Sequence, residues 1–296
     1  MPEFRTLISG LSFTECPRWH EGRLYFSDFY TGCVIAVAED GSTETIAHVP
    51  GQPSGLGFLP DGRMLIVSMR DRKILRREFD SSLVEHADLS GLAPWHLNDM
   101  VVDRDGRAWV GNFGFDLMGG APVCTTALIS VEPDGAARVA ADGLGFPNGA
   151  VLTPDGRTLI VAETTMNRLS AFRVASGSLG ERQTWAAFGD TPATTNFDEL
   201  LRQADVMPDG ICLDAEGAVW VADAKHRRLI RVAEGGNILE ELHTGGVGVF
   251  ACMLGGNDGH TLFACVAPTF HEAEASANHK AEIWTTKVRT PHAGLP

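Results

Sequence analysis

One pattern, repeated in six stretches of the chain, predicts an all-β fold: a six-bladed β-propeller with four antiparallel strands in each blade. The stretches are ECPRWHEGRLYFSD (15–28), SGLGFLPDGRMLIVS (54–68), NDMVVDRDGRAWVGN (98–112), NGAVLTPDGRTLIVA (148–162), DGICLDAEGAVWVAD (209–223) and, more loosely, GVFACMLGGNDGHTLFACV (248–266). Each holds two runs rich in β-branched and aromatic residues, which suit a pleated, half-buried surface. The runs meet at an Asp-Gly or Glu-Gly turn, where glycine takes a positive φ without steric cost. The starts lie about 40 to 60 residues apart, the spacing of propeller blades.

The remaining elements follow in order. Behind most of these hairpins lies a second, more polar one, as in 73–89, 127–143 and 228–245, so each repeat supplies about four short strands. The N-terminal FRTLI is expected beside AEIWTTKV (281–288), completing the last blade, closing the ring and hiding two sheet edges. Helical periodicity is confined to FDELLRQA (197–204). Residues 1–296 therefore read as one propeller domain with blades starting near 15, 54, 98, 148, 209 and 248. Radial repetition explains regular four-strand units. A sandwich or solenoid does not explain the next observation.

In four repeats the first residue of the inner strand carries an oxygen donor: Glu15, Asn98, Asn148 and Asp209. One donor per repeat, at one place in each repeat, is what a ring needs to build a single axial site. Ser54 and Gly248 fill the other two positions and are small, leaving room in the channel. Oxygen-only donors suit a hard divalent cation, with the two carboxylates balancing its charge and the amides adding ligands. The expected cofactor is one divalent cation, calcium before magnesium, manganese, zinc or iron. An Asn-Gly or Asp-Gly pair alone is a turn signal; four equivalent positions are not.

Composition narrows the partners. The 296 residues carry a formal net charge of −14, which argues against nucleic acid or an anionic membrane surface, since both need Lys/Arg clusters. No stretch is apolar enough to span a bilayer. The start, MPEFRTLISG, lacks the basic head and apolar core of a signal peptide, so a cytoplasmic protein is expected, a monomer or weak homo-oligomer. The six cysteines include no CxxC pair and are expected to be free and partly buried.

Propeller connectivity places the donors, the loops after the second strand of each blade, and the connections between blades on one face. That face should carry 28–31, 69–72, 112–125, 163–167, 223–227 and 267–275. Two long segments, 112–125 with Phe113, Phe115 and Met118, and 189–207, are expected to form an apolar rim or lid. His20, His48, His86 and His243 read as surface residues. His226 and His271 are candidate substrate contacts, and Lys225-His-Arg-Arg is either a solvated loop or a binder of a product carboxylate. No GxSxG elbow is present, so a serine nucleophile is disfavoured.

The motifs Glu15-Cys-Pro-Arg-Trp, Leu97-Asn98-Asp99-Met, Phe146-Pro147-Asn148-Gly149 and Met207-Pro208-Asp209-Gly210 together resemble those of the SMP-30/gluconolactonase/luciferin-regenerating-enzyme-like (regucalcin) family, over about residues 10 to 270. The resemblance implies a divalent cation on the propeller axis held by Glu15, Asn148 and Asp209, with Asn98 a fourth ligand or substrate contact and Asp99 near the substrate. It also implies lactone hydrolysis. One departure is His96, where sugar-lactonase members often carry Arg. A shorter, neutral imidazole holds a polyhydroxylated sugar less firmly than a guanidinium fork. With Phe113, Phe115 and Met118 nearby, His96 points to a lactone or ester less polar than a sugar lactone. Asp209 is the expected base and His96 its competitor. The rival readings are a phosphotriesterase or arylesterase using the same site, and a non-enzymatic calcium-binding regulator.

Overall fold

The computed structural model describes residues 3–294. Six antiparallel sheets stand around an axis, each built from consecutive strands except the last. Blade 1 runs Thr14–His20, Arg23–Asp28, Cys33–Ala38 and Thr43–His48, from the axis outward. The inner strands of blades 2 to 5 are Pro53–Phe58, Leu97–Val102, Pro147–Leu152 and Pro208–Leu213. Blade 6 runs Gly248–Gly255, Thr261–Ala267 and Ala281–Lys287, and the N-terminal strand Arg5–Leu11 is its outer edge. That strand pairs antiparallel with Ala281–Lys287 (Arg5 opposite Thr285, Leu11 opposite Ala281), so the expected ring closure is present. Blade 4 departs from the four-strand plan, with a two-residue strand, Ser178–Leu179, hung on the end of Arg168–Ala175.

Burial follows position in the ring. The second strands are buried at nearly every residue, because a neighbouring blade covers each face: Ala108–Asn112 and Val219–Asp223 have no exposed side chain. Outer strands such as Leu83–Asp88 mix buried and exposed residues. The largest core cluster spans the seams between blades. At the closing seam Trp19 of blade 1 stacks on Phe263 of blade 6, with centroids 5.4 Å apart. All six cysteines are free and four are buried. His86, expected at the surface, is only 9% exposed, because its outer strand is covered by blade 3 at Gly135, whose Cα stands against the His86 carbonyl. Among the described residues no helix is long and apolar enough to cross a membrane.

Two short helices sit on the donor face. Helix α1, Phe197–Gln203, matches the sequence reading; Asn196 caps it by accepting from Glu199 N at 2.9 Å, and Asp198 and Glu199 lie in its first turn, where acidic side chains favour the helix dipole. Helix α2, Glu272–Asn278, falls partly inside a segment read as loop. Its Glu/Ala-rich stretch was the available signal, but seven residues give too little periodicity to read.

Candidate active site

The donors reach the axis because of a recurrent irregularity. Every inner strand has a register shift against its neighbour just past its start: 15/18, 53/56, 97/100, 147/150, 208/211 and 249/251. In blades 2 to 5 the residues lying between the paired positions are Ser54–Gly55, Asn98–Asp99, Asn148–Gly149 and Asp209–Gly210. A β-bulge re-aims side chains and ends regular pairing, so three of the four predicted donors occupy bulges. The second bulge position also sets how closely the blades approach. A Cβ on Gly149 would stand 2.6 Å from Ile211 N and 2.7 Å from Asp209 O, which are backbone atoms of the next inner strand. Glycine there lets the Asn148 and Asp209 strands touch.

Glu15, Asn98, Asn148 and Asp209 all line one cavity of about 320 Å³ on this face. Its walls are largely apolar. Phe113 and Phe146 form one side, with ring centroids 4.4 Å apart, and Phe13 and Phe250 another, at 4.8 Å. Met118 lines the mouth and is 57% exposed. Other predicted contacts lie elsewhere. Phe115 is buried in a small core with Val123, Leu200, Ala204 and Met207, fastening the 112–125 loop to α1. Val123 N donates to Thr195 O at 2.7 Å in the same junction, so the two long segments expected as a rim are one packed unit. His96 stands outside the cavity lining, its ring stacked on Trp95 at 4.8 Å and edge-on to Phe113. Burial, with Arg70 and Arg72 adding to it, lowers its pKa and keeps it neutral. His226 bonds Asp223 Oδ2 through Nδ1 at 2.9 Å, and His271 precedes α2 in an adjoining groove.

Asp99 also lies outside the cavity lining. It accepts from Arg18 Nη2 at 2.9 Å and from Met100 N at 2.7 Å. Arg18 donates as well to Pro17 O and Met100 O, and both partners of this pair are buried. The acids interact electrostatically. Burial first, then Asp209 and Asp99, push the Glu15 carboxyl well above its ordinary range. Burial and Asp99 raise Asp209 to about 8, against a smaller opposing hydrogen bond from Asn148. Two carboxylates that resist ionising side by side are what a divalent cation would relieve. Among the described residues no three His, Cys, Asp or Glu side chains form a metal cluster of their own; the donor set is two carboxylates with two amides. That chemistry fits a hard cation with positions left for water or substrate.

Sequence reading missed the residues that hold the donor strands in place. The second strand of several blades ends in a buried polar residue, opposite the residue at or beside the donor: Asp28 opposite Thr14, Asn112 opposite Leu97, Glu163 opposite Pro147, Asp223 opposite Pro208. Asp28 accepts from Ser12 N and Phe13 N at 3.1 and 3.0 Å. Glu163 accepts from Gly145 N at 2.8 Å, and Asp223 from Met207 N at 3.2 Å. Each carboxylate thus ties down the chain leading into a donor. The signal was available, as a polar residue recurring where the second apolar run of a repeat ends.

A family model described as the SMP-30/gluconolactonase/LRE-like region matches residues 13–267. The chain is 27% identical over 276 residues to a pentonolactonase of Haloferax volcanii, covering 89% of this chain and 84% of that one. It is 25% identical over 292 residues to a 6-deoxy-6-sulfogluconolactonase of Pseudomonas putida, covering 95% and 93%. Its fold is similar to that of a calcium-binding regucalcin from Agrobacterium tumefaciens, with a TM-score of 0.77, 20% identity, and coverage of 99% of this chain and 98% of that one. By the family match across most of its length, the chain belongs to the SMP-30/gluconolactonase/LRE-like family.

Proposed function

We propose that the protein is a lactonase and that Glu15, Asn98, Asn148 and Asp209 hold one divalent cation at the floor of the axial cavity. The observation that carries this reading is the convergence of two carboxylates, Glu15 buried and Asp209 half-buried, and two buried amides on a cavity with aromatic walls. The two lactonase relatives support the choice of reaction. A bound cation supplies Lewis-acid polarisation of a carbonyl oxygen. The side chains do the rest. Asp209, kept ionised by the cation, takes a proton from the attacking water. The aromatic walls exclude bulk water and strengthen the polar contacts inside. Arg18 fixes the Asp99 side chain through a 2.9 Å contact. His96, stacked behind the wall, takes no part as a base. The aromatic walls of Phe13, Phe113, Phe146 and Phe250 favour a substrate less polar than a sugar lactone, with Gln52, Tyr30, Thr164, Lys225 and Arg227 as the polar side chains beside them.

The test is a pH-indicator hydrolysis screen over sugar lactones, aliphatic lactones, aryl esters and phosphotriesters, using chelator-stripped protein with single cations restored. Cation-dependent turnover of aliphatic lactones above sugar lactones is expected. Turnover indifferent to chelation would overturn the cation's role, and turnover of phosphotriesters alone would replace C=O by P=O chemistry. Asp209→Ala with near wild-type activity and cation still bound would remove Asp209 as the base.

A further inference from the structure

A second concavity of about 540 Å³ adjoins the axial cavity on the donor face. The two share Leu117, Met118, Phe197, Leu201 and Phe270, so one opens into the other across an apolar sill. Beyond the sill the groove runs between the 112–125 loop, at Ala121 and Pro122, and the start of α1. Met118 and Leu201, 57% and 37% exposed, are two of the six large apolar side chains left exposed among the described residues, and both stand on this sill. Their exposure beside a binding cavity calls for a ligand, since isolated apolar residues elsewhere on a surface need none. The groove lining carries one carboxylate, Asp198, with Thr195, Asn196 and His271 as its other polar side chains, and no Lys or Arg; its apolar strip is Leu117, Met118, Leu201 and the Phe197 and Phe270 rings, continued by Ala121 and Pro122. A charged ligand would find no counter-charge built for it, whereas flexible Met and Leu side chains with flanking Phe rings suit a linear hydrocarbon.

We infer that the outer groove is the subsite for an alkyl or acyl tail, carried by a lactone whose ring sits in the axial cavity. This inference rests on the lactonase reading. It adds that the substrate is amphiphilic and longer than the axial cavity. The ring enters between the aromatic pairs, and the tail crosses the sill of Met118, Leu201 and Phe270. The rigid junction of Phe115, Val123 and Leu200 beneath holds the groove open, so tail binding requires no refolding of the rim.

The experiment is a series of γ-alkyl butyrolactones from methyl to nonyl, read as kcat/KM. A partly covered hydrocarbon subsite should raise kcat/KM about two- to fourfold for each methylene until the groove is full, the upper figure being the factor for a fully buried methylene. Ala121→Asp and Leu201→Asp, on opposite walls, are expected to lower the nonyl-to-methyl ratio at least tenfold. A ratio near one in the wild type, or a ratio unchanged in both variants, would overturn the subsite while leaving the lactonase reading intact. If no lactone is turned over, the lactonase reading fails. Calorimetric titration with the matching non-hydrolysable alkyl lactams then decides the groove by itself: chain-length-dependent affinity lost in both variants supports it, and affinity independent of chain length overturns it.

Discussion

Replacing Gly149 by alanine isolates the contact that brings two donor strands together. The new Cβ would lie 2.6 Å from Ile211 N, 2.7 Å from Asp209 O and 2.8 Å from Gly210 Cα, all backbone atoms that cannot swing aside. Ordinary contact begins near 3.4 Å, so the two inner strands must part by roughly 0.8 Å. Overpacking of this kind costs about 1–3 kcal/mol. Misplacing reacting groups by about 1 Å can cost about a hundredfold in rate. Gly156→Ala is the control. Gly156 sits in a hairpin turn at φ +69° with nothing within 4 Å of an added Cβ, so alanine there costs about 1–2 kcal/mol of backbone strain and moves no donor. Thermal melting should show similar losses in both variants. Lactone hydrolysis should fall about a hundredfold in Gly149→Ala and stay near wild type in Gly156→Ala. Equal activity in the two variants would refute the claim that strand approach at the bulge builds the site.

Three further outcomes are expected. Arg18→Met should destabilise the fold by about 3–5 kcal/mol, because it strands the buried Asp99 carboxylate, and Arg18→Met with Asp99→Asn should recover much of the loss in denaturant titrations. Asp223→Asn weakens charge-assisted bonds to Arg228 Nε at 2.8 Å and to Met207 N, the residue two before Asp209. Its cost should be about 1.5–3 kcal/mol, with weaker cation affinity by calorimetry, whereas the exposed Asp40→Asn should change neither. In stripped protein the Asp209 carboxyl is raised from 3.8 to about 8. The folded state therefore binds the extra proton between those values, and this contribution to stability is lost as pH rises through that range. Bound cation keeps Asp209 ionised, so the melting-temperature gap between loaded and stripped protein should widen from pH 5 to pH 8. At a hundred times its dissociation constant the cation should add about 2.7 kcal/mol.

The fold was legible because each repeat states its own hairpin, and four of them open on an oxygen donor, Glu15, Asn98, Asn148 and Asp209, each the second residue of its inner strand. The bulges were not legible, since a two-against-one pairing leaves no mark on the periodicity of the inner strand. Phe113 and Phe115 show where pattern reading stops. Both are aromatic, two residues apart on an irregular loop; one lines the cavity and the other is buried beneath the rim against Leu200. In a strand that spacing would put them on one face, and in a loop it decides nothing. His96 lies outside the cavity lining for a similar reason, because its ring direction depends on Trp95 and Phe113 rather than on its distance in sequence from Asn98. Asp28, Glu163 and Asp223 carried a repeat signal of their own at the ends of the second strands, overshadowed by the donors at the starts of the first.

The most direct test of the site is an anomalous difference map from crystals of chelator-stripped protein soaked in Mn²⁺. A single strong peak is expected on the propeller axis, bounded by the carboxylates of Glu15 and Asp209 and the amide oxygens of Asn98 and Asn148, and it should be lost in Glu15→Gln. A peak elsewhere, or an axial peak that survives Glu15→Gln and Asp209→Asn together, would contradict this assignment.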